Sequence, residues 1–376
     1  MSKNIAFDAK RLFENNTGLG NYSRTLVKNL AHFFPEENYH LFAPKLKNNE
    51  NTAFFLENNT FSLHKPNNAL GAYWRTFGIN SDLKRANIDL FHGLSHEIPV
   101  GIKQTKIPTI VTIHDLIFKI YPDYYPTAQR WIYDWKFRYA CENADMVVAI
   151  SEQTKRDIIQ YYGIDEKKIR VVYQTCDERF QQNISAEQIA ETKQKMNLPQ
   201  DYMLYVGSII ERKNLLRVVQ AMLQLPKNFD IPLVVIGEGK AYKEKVIDFI
   251  KENKLQNRVI FIDKMVYSQL PEVYAGASLF LYPSEYEGFG IPVIEALFMK
   301  TPVITSDCSC LPEAAGNDAM LVSPTSVNEI SHAIESILTD TDLKNKVINK
   351  GYQHAVDNFS SKKVTVDMYD CYKAFF

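Results

Sequence analysis

The chain alternates short apolar runs with amphipathic stretches along most of its 376 residues. A run of about 4–8 apolar residues is typical of a buried parallel strand, and the amphipathic stretch after it is typical of a helix covering that sheet. Two series of this pattern predict an α/β protein with two doubly wound parallel sheets. The predicted strands lie near residues 4–8, 39–43, 88–92, 108–114, 146–150 and 169–172, and then near 203–207, 231–236, 258–262, 278–282 and 302–305.

The polar segment from Gln174 to Lys195 separates the two series and predicts a domain boundary. We therefore expect one domain over residues 1–175 and a second over 176–359, followed by a helix near 360–376. With 45% hydrophobic residues and a net charge of −1, the chain can bury two cores. This charge gives it no electrostatic reason to bind nucleic acid.

The cysteines and the amino terminus predict a soluble, cytoplasmic protein. The first residues lack the basic start and apolar core of a signal peptide, and no apolar run is long enough to span a bilayer. An odd number of scattered cysteines, five, favours a reducing compartment. Cys308 and Cys310 are spaced unlike a zinc-binding pair, so we interpret them as small loop residues.

Residues 278–306 predict a strand, a loop, a helix and a strand that place two carboxylates together. The apolar run ends at Tyr282, and Pro292 fits the first turn of the helix. The helix amino terminus suits the phosphates of an anionic ligand, and Glu295, one turn in, can accept two hydroxyls of a sugar. Glu287 precedes the helix and is expected to be free to contact another part of the ligand. The alternative is a pair of solvated carboxylates at a helix end.

This segment resembles the donor-site signature of the retaining glycosyltransferases of family 4, in which two Glu residues separated by seven others surround a Gly-Phe-Gly loop. Leu311-Pro312-Glu313 continues the pattern. The resemblance implies the GT-B fold, with two Rossmann-like domains facing across a cleft and the last helix packing on the first domain. It implies that Glu295 holds the ribose of a nucleotide sugar, and that Glu287 holds the transferred sugar with the loop amides of Phe289, Gly290 and Ile291.

A pair of cations follows the first predicted strand of the second series. After Gly207, Arg212 can fork onto phosphate oxygens and Lys213 can add a point charge, so both can stabilise a departing diphosphate. An Arg-Lys dipeptide alone is more often a solvated surface pair. Family 4 enzymes carry an Arg and a Lys in this strand, loop and helix, and the resemblance implies that Gly207, Arg212 and Lys213 belong to the donor site.

The amino-terminal half contributes a glycine turn and a histidine. Gly18 and Gly20 are predicted to form a turn before a helix from about Asn21 to Phe34, where backbone amides can approach a ligand. A dinucleotide-binding fingerprint is the alternative, but its third glycine is missing. His114 ends a predicted strand at the sheet edge where α/β folds bind ligands. The family places its glycine loop and a sugar-contacting histidine at these positions.

His92 and His96, four residues apart, raise the alternative of a metal site. They lie in a glycine-containing loop without a third ligand nearby in sequence, so we expect no metal there.

The resemblance implies a metal-independent, retaining glycosyltransferase without a cofactor, in which His114, Arg212, Lys213 and Glu287 are the catalytic candidates. The expected activity is hexose transfer, with mannose favoured, to a glycan or lipid-linked glycan in cell-surface polysaccharide synthesis. A non-catalytic scaffold that binds nucleotide or sugar is the alternative. Arg212, Lys213, Glu287 and Glu295 are all present, which argues against it.

Two further segments predict the contacts to the donor base and the acceptor surface. The segment from Asp263 to Tyr267, including Met265 and Val266, lies where the family contacts the base. The amino-terminal motif resembles bacterial mannosyltransferases and favours GDP-mannose, and a UDP-hexose is the alternative donor. Residues 127–143 carry aromatic and basic side chains, which predict either core packing or peripheral contact with the inner face of the cell membrane.

Overall fold

The structure is a computed structural model that describes residues 2–66, 71–226, 229–262 and 265–376. Its contacts divide the chain into two units: residues up to Thr175 together with Ser361–Phe376, and Cys176–Ser360. Each unit is built around one parallel sheet within the described residues.

The first unit contains seven described strands: β1 Asn4–Asp8, β2 Asn38–Phe42, β3 Phe61–His64, β4 Leu90–Gly93, β5 Thr109–Ile113, β6 Met146–Ala149 and β7 Ile169–Val171. Its helices are α1 Lys10–Glu14, α2 Gly18–Phe33, α3 Ala53–Glu57, α4 Gly71–Tyr73, α5 Ile79–Arg85, α6 Ile117–Ile120, α7 Thr127–Asn143 and α8 Glu152–Tyr162, with a π-helix over Trp74–Gly78. The strand order is β3-β2-β1-β4-β5-β6-β7, and all the pairs are parallel.

The second unit contains six described strands: β8 Met203–Val206, β9 Leu233–Ile236, β10 Val259–Ile262, β11 Leu279–Tyr282, β12 Val303–Ser306 and β13 Met320–Val322. Its helices are α9 Ala186–Lys195, α10 Leu215–Met222, α11 Ala241–Glu252, α12 Leu270–Ala275, α13 Ile291–Phe298, α14 Leu311–Ala315, α15 Val327–Thr339 and α16 Thr341–Phe359. The order is β10-β9-β8-β11-β12-β13, again parallel.

The last helix, α17 Ser361–Lys373, belongs to the first unit. Tyr369 stacks on Phe34 with ring centroids 3.7 Å apart, and the Tyr372 hydroxyl lies 2.7 Å from Nδ1 of His92. Val364, Met368 and Tyr372 are buried in the same core as α2. The carboxy-terminal helix therefore completes one hydrophobic face of the first sheet.

Both sheets reverse their strand order at one point, because β1 lies beside β4 and β8 lies beside β11. The connections on either side of such a point leave the sheet in opposite directions and open a crevice at the carboxyl ends of the strands. We therefore expect ligand-binding side chains on the segments that follow β1, β4, β8 and β11.

A candidate donor site at the second switch point

Two loops meet at the carboxyl ends of β8 and β11. The segment after β8 passes through Gly207, whose φ of 150° places it outside the range that most side chains favour, and forms a 3₁₀ turn over Glu211–Lys213. A Cβ on Gly207 would be in ordinary van der Waals contact with the Lys213 side chain at 3.4 Å, so the backbone conformation and not the space favours glycine here. The loop after β11 ends at Gly290, in the left-handed region at φ 112°, where α13 begins with Pro292 in its first turn.

Glu287 is the centre of this site. Four groups surround its Oε1: Nη1 of Arg212 at 2.9 Å, Nζ of Lys213 at 3.2 Å, the Tyr282 hydroxyl at 3.0 Å and the Ser284 hydroxyl at 2.7 Å. Burial alone would raise the pKa of this carboxyl, but the two cations and the hydrogen bonds outweigh it and hold the pKa at about 2. Glu287 is therefore ionised at neutral pH.

This arrangement corrects one expectation for Glu287. The carboxylate is 8% exposed and held by its neighbours, so it is not free before the helix as the sequence suggested. The reason is that Arg212 and Lys213, which precede Glu287 by 75 and 74 residues, need a buried counter-charge. Among the described residues only Oε1 has these partners, which leaves Oε2 as the oxygen that can accept a ligand hydroxyl.

Lys213 and Arg212 are as buried as the carboxylate they contact. Burial lowers the pKa of Lys213, the Glu287 charge raises it, and the Arg212 charge lowers it again. Lys213 Nζ also donates to the Tyr282 hydroxyl at 2.5 Å, and Arg212 donates to the Tyr286 carbonyl. Both cations are therefore fixed in place before a ligand arrives, as electrostatic stabilisation of a leaving group requires.

The backbone of Glu287 is held by a turn that sequence reasoning missed. The Ser309 hydroxyl accepts from the Glu287 amide at 3.1 Å and donates to the Glu287 carbonyl at 2.8 Å. Ser309 is left-handed at φ 59°, and the Cys310 thiol donates to the carbonyls of Glu287 and Phe289 at 3.1 and 3.0 Å. Residues 308–310 are small, as the sequence suggested, and they also fix the site loop.

Glu295 occupies a different environment on α13. Its carboxylate accepts from the Tyr274 hydroxyl at 3.0 Å and the Tyr267 hydroxyl at 3.4 Å, and it is 5% exposed. Burial raises the pKa of Glu295 to about 7, and the nearby Asp177 charge adds to this rise. The pKa of Glu287 is thus about 2 and that of Glu295 about 7, because Arg212 and Lys213 contact Glu287 directly, whereas the contacts of Glu295 are hydroxyls and the Arg179 charge lowers its pKa only slightly.

The remaining donor candidates divide into exposed and buried groups. Val266 is 61% exposed and Met265 is half-buried, whereas Asp263 and Lys264 lie outside the described residues. Phe289 is 3% exposed and packs against Phe359 with centroids 5.3 Å apart. Its ring is thus part of the core, and only its backbone can take part in binding. Ile291 is the first residue of α13 and places its amide at the helix amino terminus.

Gly18 and Gly20 lie within a helix, which corrects the predicted turn. α2 begins at Gly18 instead of about Asn21, because the Asn15 carboxamide accepts from the amides of Thr17 and Gly20 at 2.8 and 3.1 Å. A Cβ on Gly20 would lie 1.8 Å from the Asn15 carbonyl oxygen, so Gly20 permits a close backbone approach. Gly18 has no atom within 4 Å of such a Cβ and faces open space.

His114 ends β5 as expected, but both of its ring nitrogens are engaged. Nε2 donates to the Leu94 carbonyl at 2.9 Å, so Nδ1 accepts from the Gln174 amide at 3.0 Å. Burial lowers the pKa of His114 to about 4, and the ring packs edge-on against Tyr22 at 4.6 Å. The ring is therefore neutral at physiological pH. Any contact it makes with a sugar requires an exchange of these partners.

His92 is likewise fully paired. Its two ring nitrogens lie 2.7 Å from the Tyr372 hydroxyl and 2.8 Å from the Thr112 hydroxyl. His96 stacks on Phe137 with centroids 4.1 Å apart and an interplanar angle of 1°. These contacts give both histidines a packing role.

A charged network at the switch point of the first unit was not predicted. Arg75, in the π-helix, donates to both oxygens of Asp8 at the end of β1 and to Glu97 at 2.6 Å. Lys136 reaches the same Glu97 oxygen at 3.0 Å. Burial would raise the pKa of Glu97, but Arg75 and Lys136 hold it at about 2. Arg75 lies in a π-helix, a distortion of the helix that is frequent at functional sites.

Helix α7 divides its aromatic side chains between core and surface. Phe137 is 6% exposed, whereas Trp131 is 75%, Ile132 54% and Trp135 53% exposed. Of the two expectations for residues 127–143, core packing is therefore confirmed for Phe137 and is wrong for Trp131 and Trp135. No helix in the described part of the chain is long and apolar enough to cross a membrane.

Comparison with known proteins identifies the class. The model of glycosyl transferases group 1 matches residues 187–354, and that of Glycosyltransferase Family 4 matches residues 18–180. The chain belongs to the family of glycosyltransferases that these two models describe, and it has the GT-B fold.

Particular relatives support both assignments. The chain is 24% identical to O-antigen chain mannosyltransferase B of Escherichia coli over 370 residues, which is 95% of this chain and 96% of that protein. Sucrose-phosphate synthase from Thermosynechococcus elongatus superposes with a TM-score of 0.79 at 20% identity, covering 100% of this chain and 99% of the other. Anabaena HepE, solved with UDP and glucose, gives a TM-score of 0.77 at 15% identity over 99% and 100% of the two chains.

Tyr282→Phe is expected to lower kcat/KM for the sugar donor by about tenfold, because it removes the hydroxyl between Lys213 and Glu287 without changing the packing. Steady-state kinetics measure the effect. Tyr202→Phe is the matched control, since its buried hydroxyl donates to the Val273 carbonyl at 2.6 Å instead of to this cluster. Equal values of kcat/KM in the two variants would show that the Tyr282 hydroxyl has no functional role at this site.

Proposed function

We propose that this protein is a retaining mannosyltransferase that moves mannose from GDP-mannose to a hydroxyl of a glycan or lipid-linked glycan in cell-surface polysaccharide synthesis. The observation that carries the proposal is the buried cluster of Arg212, Lys213 and Glu287 at the second switch point. The mannosyltransferase that aligns with nearly the whole chain supports the choice of sugar and pathway class.

The proposed reaction breaks the bond between the anomeric carbon of the sugar and the diphosphate oxygen, and forms a bond to the acceptor oxygen on the same face. The acceptor proton passes to the departing phosphate. Arg212, Lys213 and the amino terminus of α13 stabilise the negative charge that develops on that phosphate. We propose no metal for this step, because two cations beside the carboxylate supply positive charge.

Glu287 positions the sugar in this proposal and is not its nucleophile. One carboxylate oxygen is engaged by four groups and its pKa is about 2, which makes it a weak nucleophile. Oε2 remains to accept a sugar hydroxyl. Glu295 accepts the ribose hydroxyls, with the half-buried Met265 and the exposed Val266 beside the base.

The donor is tested by thermal stabilisation with GDP, UDP and, as a control ligand, ADP. A nucleotide at one hundred times its Kd adds about 2.7 kcal/mol to the stability of the protein that binds it. We expect GDP to raise Tm, and Arg212→Ala and Glu295→Ala to remove the shift. Stabilisation by UDP alone would replace GDP-mannose with a UDP-hexose, the alternative supported by HepE bound to UDP and glucose.

Transfer itself is followed with GDP-mannose and a mannoside acceptor, with and without EDTA. The anomeric configuration of the product, read by NMR, tests retention. An inverted product, or activity that EDTA abolishes, would overturn the corresponding part of the proposal.

We place the enzyme in the cytoplasm, at the inner face of the membrane. All five cysteines are free thiols, as suits a reducing compartment. Ile132 and Trp135 present exposed apolar surface on α7 and are proposed to contact lipid headgroups. Co-sedimentation with anionic vesicles measures that contact, and a protein that stays in the supernatant would contradict it.

A further inference from the structure

An open cavity of about 320 Å³ lies between α6 and the first half of α7. This volume is at the lower end of the range for small-molecule sites, about 300–1,000 Å³, and suits a ligand of one or two sugar rings. Its lining includes Phe118, Lys119, Thr127, Arg130, Trp131 and Asp134. The four α7 residues fall at spacings of three, one and three, so they share one face of the helix.

The cavity combines an apolar wall with convergent polar groups. Trp131 leaves three quarters of its surface exposed, and its indole forms part of the cavity wall. Lys119 Nζ lies 2.7 Å from Asp134 Oδ1, and Arg130 donates to the Thr127 hydroxyl at 3.0 Å. Arg130 Nε is buried and has no hydrogen-bond partner among the described residues.

These groups match the chemistry of a pyranose. A sugar ring has an apolar C–H face that can lie on an indole, and hydroxyls at its rim that pair with a carboxylate and cationic donors. A membrane contact would instead place the partly exposed Lys119–Asp134 ion pair against hydrocarbon, at a considerable desolvation cost. Trp131 lines this cavity, whereas the exposed side chains of Ile132 and Trp135 do not.

The cavity lies at the ligand-binding edge of the first sheet. α6 begins four residues after β5 ends, so the cavity follows directly from the strand that carries His114. Phe118 packs edge-on against Phe137 at 5.4 Å, Phe137 stacks on His96 at 4.1 Å, and His96 lies 5.1 Å from His114. A continuous set of ring contacts therefore connects the cavity wall to that strand end.

We propose that this cavity binds a pyranose unit of the acceptor glycan, with Trp131 stacking on the sugar and Asp134 and Arg130 binding its hydroxyls. The inference rests on the proposed function for the identity of the acceptor. The binding itself involves residues of the first unit and requires no sugar donor. The site determines which glycan is extended and leaves the chemistry at the donor unchanged.

Fluorescence titration with lipid-free α-mannotriose tests the binding step. The chain contains three tryptophans, Trp74, Trp131 and Trp135, so the emission change can be assigned. We expect a saturable change that is lost in Trp131→Phe and kept in Trp135→Phe, the matched control on the same helix. Asp134→Asn should weaken the affinity about tenfold.

Kinetics with the same trisaccharide and GDP-mannose give the second measurement. Trp131→Ala should raise the acceptor KM about tenfold, because it removes the ring on which the sugar stacks. The donor KM and the slow hydrolysis of the donor should stay unchanged. Trp135→Ala should match the wild type with this lipid-free acceptor.

The outcomes separate this inference from the proposed function. Saturable mannotriose binding at Trp131, without any transfer from GDP-mannose, would support the cavity and reject the proposed donor. Transfer by a wild type that shows no mannotriose-dependent emission change, or an unchanged acceptor KM in Trp131→Ala, would overturn the cavity proposal. A Trp131→Ala variant that loses only vesicle binding would assign this face to the membrane and overturn it as well.

Discussion

Arg212→Ala will lower kcat/KM for the sugar donor by about 10²–10³-fold, the usual effect of removing one preorganised donor to a developing anion. Arg212 lies 2.9 Å from Glu287 and is held in place by the Tyr286 carbonyl. Its replacement removes positive charge from the leaving phosphate and one of the two cations that hold Glu287. Steady-state kinetics with the donor that stabilises the protein measure the loss.

Arg217→Ala is the matched control for this prediction. Arg217 lies five residues later and pairs with Glu285 at 2.7 Å, outside the Glu287 cluster. Its replacement removes an arginine of the same region, and we expect kcat/KM to stay within about threefold of wild type, as for a partly exposed ion pair away from the ligand. A comparable loss in both variants would mean that Arg212 acts through the local fold.

The strands were predictable because most of them are buried on both faces. Residues 279–282 are all buried, and their Leu-Phe-Leu-Tyr sequence is a continuous apolar run. The two strands that sequence analysis missed, Phe61–His64 and Met320–Val322, are edge strands of four and three residues. An edge strand has one neighbour and needs fewer apolar residues, so its sequence signal is weak.

The positions of the site residues were predictable, but their partners were not. A strand that ends at residue 206 or 282 places the following residues at the carboxyl edge of the sheet, which locates Arg212, Lys213 and Glu287. The hydrogen bonds from Tyr282 and Ser309 depend on tertiary contacts that no local pattern encodes. The helical start at Gly18 similarly depends on the Asn15 side chain.

The two carboxyls of the motif should affect stability in opposite directions when each is replaced by glutamine. Glu287→Gln removes the buried counter-charge of Arg212 and Lys213, so at pH 7 it should destabilise the protein by about 3–5 kcal/mol. Glu295→Gln instead removes a carboxyl whose ionised form has no cation within hydrogen-bonding contact among the described residues. It should therefore raise Tm above neutral pH.

The pH dependence follows from the sign of each shift. The pKa of Glu295 is raised from 4.5 to about 7, so between these values the unfolded chain ionises first and the stability contributed by Glu295 falls as pH rises. The loss amounts to about 3 kcal/mol and is complete above pH 7. The pKa of Glu287 is lowered to about 2, so its contribution is constant above pH 5 and is lost only in acid.

Thermal melts of the wild type and both glutamine variants from pH 5 to pH 8 test this assignment. The Tm of Glu295→Gln should match that of the wild type at pH 5 and be higher than it at pH 8. Stabilisation of this variant by nucleotide should decrease, because the wild type retains a buried carboxylate that lowers its stability in order to bind hydroxyls. Glu287→Gln should melt lower by a similar amount across the whole range. If the Tm of Glu295→Gln differs from that of the wild type by the same amount at pH 5 and at pH 8, Glu295 is already ionised at pH 5. Tyr267 and Tyr274 alone would then stabilise its charge.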